Sequence, residues 1–261
     1  MKNFFGFVIL FLSTTTNTTG AQLSQQQLME LLNHPNRLAK DNIRDSVRKP
    51  EKIMDFADVA AGDHVLDLYA GGGWYSELFS LAVGKNGLVY AHNDELTWKF
   101  GAQEIKDRSA GNRLVNLVRL DQVALADINV PTQSIDIAFM AINYHDLYFT
   151  NRIRNGKFQQ LRPNIVDYRT AFGAVRRALK SDGVLVIIDH TAKPGSGYRA
   201  ANDLHRIDPN IVQYQLQEVG FSLLEEAFYL RNPKDDLNTL VFDPTIRGKT
   251  DRFIYKFGVS K

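Results

Sequence analysis

From residue 64 onward, short apolar runs alternate with longer segments in which apolar residues recur every three or four positions. The runs at 64–69, 88–92, 114–120, 135–142 and 184–190 have the length of strands. The segments 75–83, 94–108 and 166–179 carry helical spacing. Gly84, Gly87, Gly111 and Gly183 punctuate the connections. Strand–helix alternation of this kind predicts a mostly parallel sheet with helices on both faces. Unbroken apolar spelling, as in Val184-Leu185-Val186-Ile187-Ile188, suits strands buried on both sides.

Both ends break the rhythm. A helix at 211–219 leads to a strand at 221–230, a long polar loop and a last strand at 252–259. Two strands with no helix between them predict a terminal antiparallel hairpin. Residues 22–60 read as a helical preamble. Ser24 and Gln27 form a capping box ahead of Leu28, Leu31 and Leu32, and Pro50 suits the first turn of a helix carrying Ile53, Met54 and Phe56. At the N-terminus Lys2 precedes an apolar run at 4–12, followed by polar and small residues to Ala21. This is the layout of a secretory signal peptide, cleaved after Ala21. The expected division is a signal peptide at 1–21, a helical segment at 22–60 and one α/β domain at 61–261, exported to a compartment such as the bacterial periplasm. The apolar run is too short to span a bilayer and no other segment is apolar enough, so the mature chain is expected to make no stable membrane insertion.

With 261 residues and 44% hydrophobic content the chain can bury a substantial core. A net charge of +2 gives no reason to expect nucleic acid as a partner, so a small-molecule substrate is the expectation. The absence of cysteine excludes disulfides, thiolate metal sites and cysteine nucleophiles.

The candidate chemistry gathers at the carboxyl ends of the predicted strands, where open α/β sheets bind ligands. The first strand runs into Asp67-Leu68-Tyr69-Ala70-Gly71-Gly72-Gly73, a strand, a tight glycine turn and then a helix. Glycines there let a backbone approach a ligand, and the helix start offers free N–H groups. The G-x-G-x-x-G dinucleotide fingerprint is absent, since Ser76 stands where its third glycine would be. That argues against a nicotinamide-dependent oxidoreductase. The second strand ends at His92-Asn93-Asp94, the third at Asp121-Gln122, the fourth at Asn143-Tyr144-His145-Asp146 and the fifth at Asp189-His190. Three of the six histidines therefore fall at strand ends. His145 has a side chain suited to proton transfer near neutrality, with Asp146 and His190 as companions. A mixed N/O metal site from His145, Asp146, Asp189, His190 and His205 is the rival use, but no short-range pair such as H-E-x-x-H is present, and no metal is expected. Arg152, Arg154, Lys157 and Arg162 form a basic loop after the fourth strand, suggesting an acidic acceptor as a minor alternative.

The run Leu66-Asp67-Leu68-x-Ala70-Gly71-x-Gly73 resembles motif I of the class I S-adenosylmethionine (SAM)-dependent methyltransferases, with Tyr69 standing where that family places its first glycine. Together with Asn143-Tyr144-His145-Asp146, Arg44-Asp45, Arg48-Lys49-Pro50, His205-Arg206-Ile207-Asp208-Pro209 and the stretch from Arg247 to Phe253, it resembles an uncharacterised family of exported bacterial predicted methyltransferases. The resemblance implies a Rossmann-like class I methyltransferase fold, with a mostly parallel seven-stranded sheet and a C-terminal antiparallel hairpin. It implies SAM as cofactor, held by Asp67, Tyr69, Ala70, Gly71 and Gly73, by Asn93 or Asp94 at the ribose, by Asp121 and Gln122 at the adenine, and by Asn143. His145, Asp146 and His190 would face the methyl acceptor. A binding protein that keeps the fold without catalysis is the alternative from a different class.

Overall fold

The computed structural model describes residues 20–260. The expected signal peptide lies outside the described residues, apart from Gly20 and Ala21. In the remainder, the preamble comprises α1 (Gln25–Leu32), α2 (Asp45–Arg48) and α3 (Pro50–Phe56). Ser24 and Gln27 form the reciprocal capping box on α1, and Pro50 sits in the first turn of α3. Then follow β1 (His64–Leu68), α4 (Trp74–Val83), β2 (Leu88–Asn93), α5 (Glu95–Ser109), β3 (Leu117–Asp121) and β4 (Ile135–Ala141). A hairpin of β5 (Asn151–Arg154) and β6 (Lys157–Gln160) precedes α6 (Tyr168–Ala178) and β7 (Leu179–His190). The chain closes with α7 (Gly197–Leu204), α8 (Pro209–Glu218), β8 (Phe221–Ala227) and β9 (Arg252–Val259).

Seven strands form one sheet in the order β3-β2-β1-β4-β7-β9-β8. The first five run parallel, and β9 pairs antiparallel with both β7 and β8. This is the Rossmann-like class I methyltransferase architecture, with the expected terminal antiparallel pair. Strand alternation splits the core in two. Leu66, Leu68, Ala138, Met140, Leu185 and Ile187 face α6 and α8. Val65, Ile137, Phe139, Val186 and Ile188 face α1, α3 and α4. Among the described residues no helix is long and apolar enough to cross a membrane.

Three boundaries differ from the sequence pattern. β1 stops at Leu68 because Tyr69 turns into the left-handed region at φ 52°. β3 begins three residues late, at Leu117, because Asn116 turns inward to donate to the carbonyls of Ser80 and Gly84. The stretch 150–162, expected as a basic loop, is instead largely the β5–β6 hairpin. Its Asn155 and Gly156 both adopt positive φ, as a two-residue type I′ turn requires.

Several charged motifs noted in the sequence tie the fold together. Arg206 forms a fully buried bidentate pair with Asp235 at 2.9 and 3.0 Å, and Asp235 also accepts the backbone N–H of Asp251. Asp208 caps α8, and Arg252 donates to the carbonyl of Val47 at 2.7 Å.

Candidate active site

The glycine turn is held from three sides. Gly71 and Gly73 have φ of 56° and 76°, a region costly for side chains with a Cβ. Asn93 at the end of β2 accepts the N–H of Gly71 at 2.8 Å and donates to its carbonyl at 3.1 Å. Gly101 in α5 lies against the same peptide, so close that a Cβ there would stand 2.8 Å from Gly71 Cα. On its other side the turn is open, and a Cβ at Gly71 would meet nothing within 4 Å. Ala70 sits within the turn, its N–H donating to His92 and its carbonyl accepting from Gly73, both at 2.9 Å.

Asp67 is buried beneath the turn and accepts a hydrogen bond from the Ser76 hydroxyl at 2.5 Å. Burial pushes its carboxyl up to about 7, against the opposing pull of Ser76 and Arg48. Asp94 is the N-cap of α5, accepting from the Thr97 backbone, and its second oxygen pairs with Arg162 at 2.8 Å. Arg162 is therefore an internal partner of Asp94, not a free cation for an acidic acceptor. Tyr69 takes the place of a glycine and fills it. Its ring stacks on His92 at 5.5 Å, and its hydroxyl is buried near Asp94 and Arg162 without meeting hydrogen-bond geometry with any described group. Asp121 ends β3 in register with Asn93 and pairs with Arg119 at 3.1 Å, while Gln122 is exposed. Neither lines the cavity described next.

A cavity of about 830 Å³ opens at the carboxyl edge of β4 and β7. Its walls include Phe100, Phe149, Phe242, Asn143 and Asn202, and the ionisable groups facing it are Arg48, Arg152 and Asp203 together with the cluster His145, Asp146, His190 and His205. Asn143 joins cavity to turn, since its Nδ2 donates to the Tyr69 carbonyl at 2.8 Å. His145 and Asp146 stand in a 3₁₀ turn directly after β4. Asp189, fully buried at the end of β7, binds His145 twice: it accepts the backbone N–H at 2.8 Å and faces Nδ1 at 2.8 and 3.0 Å. His145 Nε2 lies 3.1 Å from His205 Nδ1. His205 is the left-handed C-cap of α7, its ring packed between Phe149 and Phe242.

The electrostatics separate these rings. Burial alone would depress His145, but the charges of Asp189 and Asp146 outweigh it and push the imidazole up to about 9. Both carboxylates therefore favour the charged form of the His145 ring. Burial raises Asp146 to about 6. Burial and the His145 charge lower His205 to about 3 and hold His190 well below the ordinary range. His190 turns its Nδ1 to the Thr250 hydroxyl at 2.7 Å. His92 is a packed core histidine: burial depresses it to about 4, and its Nε2 faces the Val123 carbonyl at 2.8 Å.

The strand ends thus bring Gly71, Asn143, His145, Asp146 and His190 to one edge, while His92 and Asn93 turn inward. Asp189 and His205, which the sequence suggested only as metal ligands, are the close partners of His145. The pleat is the signal for Asp189: next to His190 on one strand, it must project to the opposite face.

No protein-family model matches the chain, and no curated protein matches it in sequence. Solved structures match its fold. A SAM-dependent methyltransferase from Aquifex aeolicus aligns over 91% of this chain and 99% of its own, at 18% identity and a TM-score of 0.57. A SAM-dependent methyltransferase from Leishmania major aligns over 89% of this chain and 82% of its own, at 14% identity and a TM-score of 0.54. These likenesses establish the class of fold as that of the SAM-dependent methyltransferases.

Proposed function

We propose that the protein is a SAM-dependent methyltransferase acting on a small molecule bound in the cavity beside His145. The observation that carries this reading is the 2.8 Å hydrogen bond from Asn143 to the Tyr69 carbonyl, which joins a methyltransferase-type glycine turn to an acceptor-sized cavity at one sheet edge. Three features fit the cofactor. The open side of Gly71 is a cradle that a side chain would fill, the Tyr69 hydroxyl is a buried group in want of a partner, and the Asp67 carboxylate lies under the turn.

When bound, SAM would supply a sulfonium methyl group open to attack by a lone pair of the acceptor, the C–S bond breaking with its electron pair leaving on the sulfur of S-adenosylhomocysteine. Gly71 and Gly73 would admit it, Asp67 would face its amino group, and Tyr69 with Asp94 would meet the ribose. Asp121 and Gln122 remain nearest the adenine by the family pattern. Asn93 spends both its polar atoms on the turn, so it positions the cradle and leaves the ribose to its neighbours. The aromatic walls exclude water and favour an acceptor with an apolar body. A positive charge at His145, on its ring or on an ion that it holds, would favour the ionised form of an acceptor hydroxyl, carboxyl or similar group.

Calorimetric titration of the protein with SAM and, separately, with NAD tests this. SAM binding that is lost in Gly71→Val, with methyl transfer found in an acceptor screen, is the expected result. Binding without turnover would make the protein a SAM-binding module, and NAD binding alone would mark an oxidoreductase.

We also propose that the chain is exported after cleavage near Ala21 and belongs among exported bacterial predicted methyltransferases. The charged, apolar and small-residue pattern of 1–21 supports this. Mass spectrometry of the protein from its native host should find Gln22 or a near neighbour at the N-terminus, and an intact Met1 on cytosolic protein would overturn it.

A further inference from the structure

We propose that His145, Asp146 and His205 form a binding site for one divalent transition-metal ion, of the zinc class, at the floor of the cavity. The three ligand atoms form a nearly regular triangle: His145 Nε2 to His205 Nδ1 is 3.1 Å, His145 Nε2 to Asp146 Oδ1 is 3.5 Å, and His205 Nδ1 to Asp146 Oδ1 is 3.7 Å. A circle through points so spaced has a radius of about 2.0 Å, the length of a zinc–imidazole or zinc–carboxylate bond. One ion therefore reaches all three atoms with no side chain moved.

Hydrogen bonding accounts for only one side of this triangle. The two imidazoles at 3.1 Å can share a proton, but Asp146 Oδ1 is at or beyond hydrogen-bond reach of both rings. Among the described residues its carboxylate accepts no other side-chain hydrogen bond. An ion at the centre would satisfy all three groups at once.

The surroundings are those of a metal centre. Asp189 faces Nδ1 of His145 at 2.8 Å and fixes the ring so that Nε2 points to the other two groups. This is the carboxylate–histidine–metal arrangement that orients ligands and raises their basicity. His205 is presented from a left-handed residue at φ 54°, a conformation that costs energy outside glycine, and is clamped by Phe149 and Phe242. His190 is excluded: its ring centre is 6.0 Å from that of His145, and it is bound to Thr250.

Two imidazoles and one carboxylate are borderline ligands. They suit zinc, iron(II), cobalt or manganese and are poor for magnesium or calcium, which take oxygen. Three protein ligands leave the fourth position open to the cavity, as in sites where the ion activates a bound hydroxyl group or water. In the methyl-transfer reading, that position would take the acceptor. The metal site itself stands on the triangle and does not depend on SAM.

The test strips the full chain with chelator and titrates it with zinc chloride by calorimetry, counting bound metal by elemental mass spectrometry. Cobalt(II) loading, read by visible absorption, reports the coordination geometry. The expected result is one ion per chain and a cobalt spectrum of four-coordinate type. His205→Ala and Asp146→Asn should each weaken binding at least about 100-fold. Asp189→Asn should weaken it about 10–100-fold and His190→Asn should leave the stoichiometry at one. Thermal melts of the stripped variants establish that they fold. Binding below one equivalent in a folded parent, or folded His205→Ala and Asp146→Asn that bind zinc like the parent, would overturn the proposal. SAM titration of stripped and loaded protein keeps the two readings apart, since loss of SAM binding with zinc stoichiometry intact condemns only the methyltransferase reading.

Discussion

Asn93 holds Gly71 by both of its backbone polar groups, accepting the N–H at 2.8 Å and donating to the carbonyl at 3.1 Å. The Asn93 side chain is fully buried, while Gly71 is half-buried at the open side of the turn. The two bonds convert a flexible glycine peptide into a fixed edge of the candidate cofactor site.

Removing that side chain leaves both groups of Gly71 without their partner. Asn93→Ala should cost about 1–3 kcal/mol in urea-induced unfolding, the desolvation penalty of unsatisfied buried groups plus a small cavity. SAM affinity should fall by more than stability accounts for, measured on the folded fraction. Unchanged SAM affinity in a folded Asn93→Ala would show that the turn needs no such support.

How much of this was legible in the chain follows from the range of each signal. The sheet was legible because Val184 to Ile188 and its counterparts spell strands, and the glycine turn because Asp67 to Gly73 is contiguous. Asn93 was legible as a strand-end polar residue but not as the clasp of Gly71, since that depends on the β1–β2 register. The β5–β6 hairpin carried its own signal in Asn155-Gly156, obscured by the basic residues around it. His205 gave no short-range sign of pairing with His145, because 60 residues separate them and only the packing of α7 on the turn after β4 brings them together.

Gly101 offers a contest between propensity and space. In a helix interior alanine is worth up to about 1 kcal/mol over glycine. Here the added Cβ would press into the Gly71 peptide, which Asn93 holds by two hydrogen bonds. Overpacking of this kind costs about 1–3 kcal/mol, so Gly101→Ala should destabilise despite its better helix propensity, and should shift the turn enough to weaken SAM binding. A higher melting temperature for Gly101→Ala would show that α5 moves freely against the turn.

Arg108 is the buried link between the helical preamble and the domain. With no exposed surface, it donates to the Gly72 carbonyl at 2.7 Å and Asp41 at 2.6 Å, and it also pairs with Glu77. Arg108→Met keeps the bulk and deletes the charge. Glu77 retains Arg113 at 2.6 Å, whereas Asp41 is left buried without its cation. The expected cost is about 3–5 kcal/mol, as for removing one partner of a buried pair. Because Asp41 anchors the segment Ala39–Arg44, limited proteolysis of the variant should cut there first. Equal resistance in both proteins would assign the anchoring to the apolar contacts of Leu28 and Ile53 instead.

Asp67 couples stability to pH in a direction opposite to most carboxylates. Burial lifts it to about 7 in the folded chain, against about 3.9 when unfolded. The folded state therefore holds the proton more tightly. The associated stabilisation is complete below about pH 4 and is lost as pH rises through 7. A shift of that size corresponds to on the order of 2–4 kcal/mol. Asp63, which burial lifts to about 6, acts in the same sense. Asp67→Asn mimics the protonated form, so its melting temperature should fall less between pH 5 and pH 8 than that of the parent. Parallel curves would mean that Asp67 ionises normally. The same titration bears on the cofactor. If the ionised carboxylate receives the amino group of SAM, affinity should rise with pH up to about 7 and binding near pH 6.5 should release protons, seen as heats that vary with the buffer's ionisation enthalpy. Asp67→Asn should bind more weakly and without proton release. A parent whose SAM affinity is flat across that range would separate Asp67 from the cofactor and leave it a buried acid serving only Ser76.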